Sequence, residues 1–146
     1  MIRDNIVDEI QEKDLEQLQK IMKKTFNSNT SDLKTQRFYE SFKNNNDIYV
    51  LGYYIKNSLV GTVTLNILTM PSSKEATIWN LAVLEEYRGL GIATKLMIEA
   101  EEIVKKYEDI GRIWLFSGVQ RKGAHKLYNK LGYDENVDKA FVKQIR

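Results

Sequence analysis

The chain of 146 residues contains no cysteine, which excludes disulfides, thiolate metal ligands and a cysteine nucleophile. It has one histidine, His125, so a multi-histidine metal site is excluded and no metal is expected. Proline occurs once, at Pro71, and glycine only eight times, so two glycines close together carry information. No apolar run approaches the length of a membrane span. The opening residues MIRDNIVDEI carry charges where a signal peptide needs an apolar stretch. A cytoplasmic protein with no membrane partner is expected. An excess of one charge is also lacking: the net charge is +2. Residues 1–70 hold nine Lys/Arg and nine Asp/Glu, and residues 71–146 hold thirteen and eleven. That is too mild for a general nucleic-acid binder, so no nucleic-acid partner is expected. A local anion site is compatible with it.

What is present is an ordinary globular balance of 42% hydrophobic and 29% charged residues. The length suits one domain with a real core, and no repeat or linker divides it, so residues 1–146 read as a single domain. After a short first strand, Asp14 precedes Leu15, Leu18, Ile21, Met22 and Phe26 at helical spacing. Gln17, three residues after Asp14, predicts a capping box. Asp32–Lys43 reads as a second helix with a thin apolar stripe. Asp47–Lys56 and Leu59–Met70, rich in Val, Ile, Tyr and Thr, read as a hairpin turning at Asn57-Ser58. Ala76–Leu84 reads as a further strand.

Gly89 and Gly91 lead into a long helix whose apolar face runs from Leu90 to Tyr107, with Gly111 as its stop. Arg112–Phe116 reads as a short strand, residues 124–131 as a second short helix capped by Gly132, and Ala140–Ile145 as a final strand. The order is mixed α/β: a central, twisted, mostly antiparallel sheet flanked by helices, with a crossover helix late in the chain.

The most informative segment is LAVLEEYRGLGIATKL, residues 81–96. A strand ends there and Arg88, Gly89, Leu90, Gly91, Ile92 and Ala93 carry the chain into a helix. The first N–H groups of a helix lack internal partners and meet anions favourably, and glycine lets a phosphate approach the backbone. Arg88 and Lys95 supply nearby cations, and the Thr94 hydroxyl adds a donor. The dinucleotide fingerprint fails because Thr94 stands where a glycine is required, and the P-loop pattern fails too. Two glycines alone are equally explained by turn geometry.

Arg88-x-x-Gly91-x-Ala93, following the strand IWNLAV, resembles the acetyl-CoA signature of the GNAT family of N-acetyltransferases. AHKLYNKLGY, residues 124–133, resembles the family's later motif, and the spacing between the two fits one helix and one strand. The resemblance is specific over about residues 76–133 and topological before that. It implies the acyl-CoA N-acyltransferase fold, with acetyl-CoA as cosubstrate and an acetyl group passing directly from thioester to a primary amine. By that resemblance Leu81, Ala82 and Val83 pair their backbone with the pantetheine arm, and the backbone from Arg88 through Gly89, Leu90, Gly91, Ile92 and Ala93 to Thr94 wraps the pyrophosphate. Tyr128 matches the tyrosine that protonates the departing thiolate; a helix-face aromatic reads the same residue structurally.

Glu75 stands at about the place of the glutamate some relatives use as base, and a solvated charge at a strand start reads it equally. WLFSG, residues 114–118, lacks the carboxylate that other relatives place there. Arg121 replaces an asparagine that holds the pantetheine arm in many relatives. With Lys122, Lys126 and Lys130 it forms a basic cluster, read either as a contact for the 3′-phosphate or as a solvated helix face. His125 reads as an exposed surface residue. The implied partner is a small-molecule or peptide amine, bound between residues 27–33 and 134–139, with monomer and homodimer both open. The alternative is a non-catalytic coenzyme A-binding sensor or interaction module.

Overall fold

The computed structural model describes residues 2–146. Its β-branched and aromatic runs form the strands of one sheet. β2 (Ile48–Ile55) and β3 (Ser58–Thr69) make an antiparallel hairpin. Its turn is Lys56-Asn57, one residue earlier than the sequence predicts, with φ of 48° and 67°. Two consecutive left-handed residues twist the chain in the sense a hairpin needs. β1 (Ile6–Glu9) lies antiparallel to β2, and β4 (Lys74–Val83) antiparallel to β3. β5 (Ile113–Leu115) runs parallel to β4, so the chain must cross over between them. The strand order is β1-β2-β3-β4-β5, which is the mixed, mostly antiparallel sheet expected.

The crossover is α3 (Ile92–Lys105). Its Ile92, Leu96, Met97, Ala100 and Val104 recur at helical spacing and are all buried, joining Val63, Leu65, Ile78 and Val83 of the sheet in one core. α1 (Leu15–Phe26) packs on β3 and β4 through the buried Leu18 and Ile21, beside α2 (Asp32–Phe42), whose thin stripe buries only Thr35 and Phe42. Ser31 caps α2, its Oγ accepting from the Lys34 N–H at 3.2 Å. α4 (Lys122–Lys130) buries no residue fully.

Two local expectations are corrected. Asp14 and Gln17 form no capping box. The Asp14 carboxylate instead accepts from the Gln11 N–H at 2.9 Å, from both terminal nitrogens of Arg3 at 3.1 Å and from the Tyr54 hydroxyl at 2.7 Å. Gln17 Oε1 accepts from the Leu59 N–H at 2.8 Å, tying α1 to the hairpin. Ala140–Ile145 forms no strand. No neighbouring strand pairs with it, and Phe141 is 92% exposed. Apolar residues in a row do not make a strand without a partner for the backbone.

Candidate active site

The site is set by an irregularity in β4. Thr62 of β3 faces Ala82, but Thr64 faces Trp79, so β4 holds two residues, Asn80 and Leu81, against Val63. Asn80 adopts φ 55°, the left-handed conformation that asparagine tolerates better than most side chains. This is a β-bulge, and bulges bend a strand and re-aim its groups. On the other side β5 pairs with β4 only from Ala76 to Ile78. From Trp79 to Val83 the edge of β4 facing β5 is therefore open.

A cleft of about 650 Å³ occupies that opening, walled by β4, the start of α3, α4, and the end of α1. Gly89 and Gly91 line it with φ of 80° and 78°. A Cβ built on either would meet nothing within 4 Å, so the backbone there faces free space. Gly91 begins α3, whose first N–H groups after it, those of Ile92, Ala93 and Thr94, have no helical acceptor. Arg88 is fixed beside them, its Nε donating to the Val83 carbonyl at 3.0 Å. Unpaired N–H donors, a helix N-terminus and an anchored guanidinium form the donor set a pyrophosphate needs.

Of the residues singled out in the sequence, Leu81, Ala82, Val83, Arg88, Gly89, Gly91, Ile92, Ala93, Thr94, Arg121 and Tyr128 all line this cleft. Leu90 does not: between two left-handed glycines its side chain turns outward and is 61% exposed. Lys95 also leaves the cleft, its Nζ donating to the Tyr53 hydroxyl at 3.3 Å. Glu75 sits at the far end of β4, outside the cleft lining, where its Oε1 faces the Arg112 guanidinium at 3.7 Å. About five residues of strand, at about 3.3 Å each, separate it from the bulge. It is not placed to take a proton there.

Arg121 is not a solvated charge. Its Nη2 donates to the Thr25 carbonyl at 3.2 Å and its guanidinium lies 4.3 Å from the Phe26 ring centre. The side chain thus ties the start of α4 to the end of α1 across the cleft. His125 is half-buried, its Nε2 2.9 Å from the Gly118 carbonyl and 3.2 Å from Ser117 Oγ. It serves the loop leading into α4.

Tyr128 is half-buried on α4. Burial pushes its phenol above the ordinary value of 10.0, with Arg121 pulling weakly the other way. The hydroxyl therefore keeps its proton throughout the neutral range. Tyr133 packs edge-on to it at 6.2 Å and is itself held by a 2.8 Å bond to Glu101.

Sequence reasoning missed Asn80, Trp79 and Phe116, which also line the cleft. Trp79 and Phe116 stand 5.7 Å apart, 41% and 49% exposed. The available signal was an asparagine inside IWNLAV, since asparagine is depleted from strands. Among the described residues, no carboxylate or imidazole lines the cleft.

The acetyltransferase (GNAT) family model matches residues 15–133. Over 62 residues the chain is 36% identical to an N-alpha-acetyltransferase of Sulfurisphaera tokodaii, covering 42% of this chain and 37% of that protein. The match thus spans little more than a third of that relative. A transcriptional regulator from Bacillus halodurans C-125 has a TM-score of 0.85 at 19% identity, covering 99% of this chain and 100% of the other. Arabidopsis thaliana NAA60, solved in complex with a bisubstrate analogue, has a TM-score of 0.75 at 22% identity, covering 88% and 83%. At these identities the two structures establish a shared fold. Among the described residues no helix is long and apolar enough to cross a membrane, and no group of His, Cys, Asp and Glu is arranged to hold a metal.

Proposed function

The chain belongs to the acetyltransferase (GNAT) family, and from that premise we propose that residues 1–146 form one N-acetyltransferase domain moving an acetyl group from acetyl-CoA directly to a primary amine, an α-amine above others. The observation that carries the reading is one cleft lined by the bare-backbone turn at Gly89–Gly91, the open edge of β4 and Tyr128.

Acetyl-CoA supplies the activated acetyl group as a thioester. The chain's own groups divide the remaining work. The N–H groups opening α3 and the Arg88 guanidinium hold the pyrophosphate, where dipole and charge act together. Leu81, Ala82 and Val83 lend backbone to the amide-bearing arm along the open edge of β4, much as a sheet edge accepts an added strand. The bulge at Asn80 re-aims backbone groups of β4 toward the acetyl oxygen, and donors fixed in advance stabilise charge there without reorganising. Tyr128 holds a proton for the departing sulfur. No cysteine is available for a covalent acetyl-enzyme, which supports direct transfer.

The lack of a base in the cleft favours one kind of amine. An α-amine titrates near 7.7–8.0 and is about a tenth neutral at pH 7, whereas a lysine side chain near 10.4 is neutral only about one time in 2,500. Without a carboxylate or imidazole to remove the proton, the acceptor must bring its own neutral form. Similarity to an N-alpha-acetyltransferase supports the same choice.

Tyr128→Phe tests the reading. With an α-amine peptide as acceptor, kcat is expected to fall about 10²–10⁴-fold, the usual worth of a positioned acid, with KM for acetyl-CoA unchanged. Acetyl-CoA binding by thermal shift, with no thiol released from acetyl-CoA in the presence of any amine by the unaltered protein, would instead leave a coenzyme A-binding sensor or interaction module.

A further inference from the structure

A second cavity, of about 140 Å³, lies between α1, α2 and β3. Its inner wall is Leu18, Met22 and Phe38 with the methyl-bearing side chains of Thr62 and Thr64. Asn80 lines this cavity and the first cleft alike. The bulged residue is thus a shared wall between the place of acetyl transfer and a small, mostly apolar chamber.

That adjacency has a chemical meaning. The side chain of an α-amine acceptor leaves the carbon that bears the amine. A chamber sharing a wall with the reaction point is placed to receive it. A cavity of about 150 Å³ accepts a benzene-sized group, so this one fits a side chain of that size or smaller. Two of the lining threonine hydroxyls are already committed. Thr62 donates to the Leu51 carbonyl at 2.9 Å, and Thr35 lies 2.9 Å from the Ser31 carbonyl. Among the described residues no Asp or Glu lines the chamber, and its one charged wall residue is the cation Lys34, whose Nζ donates to the Asn29 carbonyl at 2.8 Å. A cationic side chain entering here loses water, meets no counter-ion and faces a like charge, each unfavourable.

We propose that this chamber is the acceptor's side-chain pocket and that it selects α-amines carrying an uncharged side chain no larger than a benzene-sized group, rejecting lysine, arginine and polyamine-like acceptors. The assignment rests on the transferase reading above.

The test uses the full chain, acetyl-CoA and short synthetic peptides with a free α-amine, differing only in their first residue, with thiol release as readout. Met- and Leu-first peptides are expected to show kcat/KM at least tenfold above Lys- and Arg-first ones. Met22→Trp, which fills the chamber, lowers the Met-first to Gly-first ratio about tenfold or more. Lys34→Glu, at the exposed rim, raises the Lys-first to Met-first ratio severalfold. An unchanged acetyl-CoA thermal shift confirms that each variant is folded. Equal use of Met- and Lys-first peptides by the unaltered chain overturns the pocket, as do ratios that neither variant moves. Turnover confined to non-peptide amines overturns the pocket but leaves the transferase reading standing. Acetyl-CoA binding without turnover of any amine removes both.

Discussion

At the corner where β1 meets α1, a charged cluster is closed on itself. Arg3 and Asp14 are each 4% exposed and Tyr54 is fully buried. The Arg3 guanidinium meets both Asp14 oxygens, adds Asp8 at 3.2 Å and the Glu9 carbonyl at 3.0 Å, and lies 3.5 Å from the Tyr54 ring centre. At the turn from β4 into α3, polar groups are left open: N–H donors without acceptors, two glycines facing free space, a strand edge without a neighbour. Both regions concentrate charge or dipole, and only one finishes its bonding internally. The closed cluster fixes α1 against the hairpin, which holds one side of the cleft in place. The open turn keeps its bonding capacity for a ligand. In the proposed reading, stability and binding are carried by different residues, and substitutions should separate them.

The largest separation is expected from Asp14→Ala. Removing one partner of a buried ion pair strands the other charge and costs about 3–5 kcal/mol. For a chain of this size that is a fall in Tm of about 6–20 °C. KM for acetyl-CoA, measured below the transition, should stay within about twofold. A rise in KM as steep as the loss of stability would break the comparison, because the corner would then be part of the site. Acid sharpens the same test. Burial by itself would raise the Asp14 carboxyl, but hydrogen bonds from Arg3, the Gln11 N–H and Tyr54 together hold it below its ordinary value. A group depressed in the folded state stabilises fully above its unfolded value, near 3.9, and loses that contribution as pH falls through the folded one. The Tm gap between the unaltered chain and the variant should therefore narrow below about pH 4.

The two regions also differ in how far the sequence discloses them. Arg88-x-x-Gly91-x-Ala93 is a contiguous string that resembles a family signature, so the proposed anion turn is legible from the sequence. Tyr128 and the helix around it follow from a second short string. The Arg3–Asp14–Tyr54 cluster joins three distant points through tertiary packing, and nothing local to Asp14 distinguishes a buried partner from a helix cap. The bulge at Asn80 lies between these cases: an asparagine in an apolar strand marks a fault without saying what it does. Ala140–Ile145 shows the opposite error, since the stretch reads as a strand and no neighbouring strand pairs with it.

Gly91→Ala should act in the reverse sense to Asp14→Ala. At φ 78° a side chain costs about 1–2 kcal/mol of backbone strain, a modest stability loss. The added methyl also enters the free space that the bare backbone leaves for an anion, and KM for acetyl-CoA should rise about tenfold or more. A calorimetric scan with and without acetyl-CoA separates the two effects: the ligand-induced rise in Tm should shrink more than Tm itself. A variant with normal KM and only lowered stability would make the glycine a turn residue and nothing else.

The smallest effect isolates two cations seven residues apart in the same stretch. Arg88 lines the cleft with its guanidinium anchored on the Val83 carbonyl, whereas Lys95, one turn into α3, is turned to the Tyr53 hydroxyl. Both add one positive charge near the N-terminus of α3, and a purely long-range attraction would treat them nearly alike. A contact would not. An exposed charge pair is worth up to about 1 kcal/mol, so Arg88→Ala should raise KM for acetyl-CoA about fivefold, and Lys95→Ala less than twofold. Salt distinguishes the causes. Screening lengths fall from about 10 Å at 0.1 M to about 3 Å at 1 M, so a long-range contribution from either cation should vanish at high salt, while the Arg88 contact should keep part of its effect. Equal responses of the two variants, both erased by salt, would mean that the turn attracts its anion by field alone and that the fixed guanidinium adds no contact.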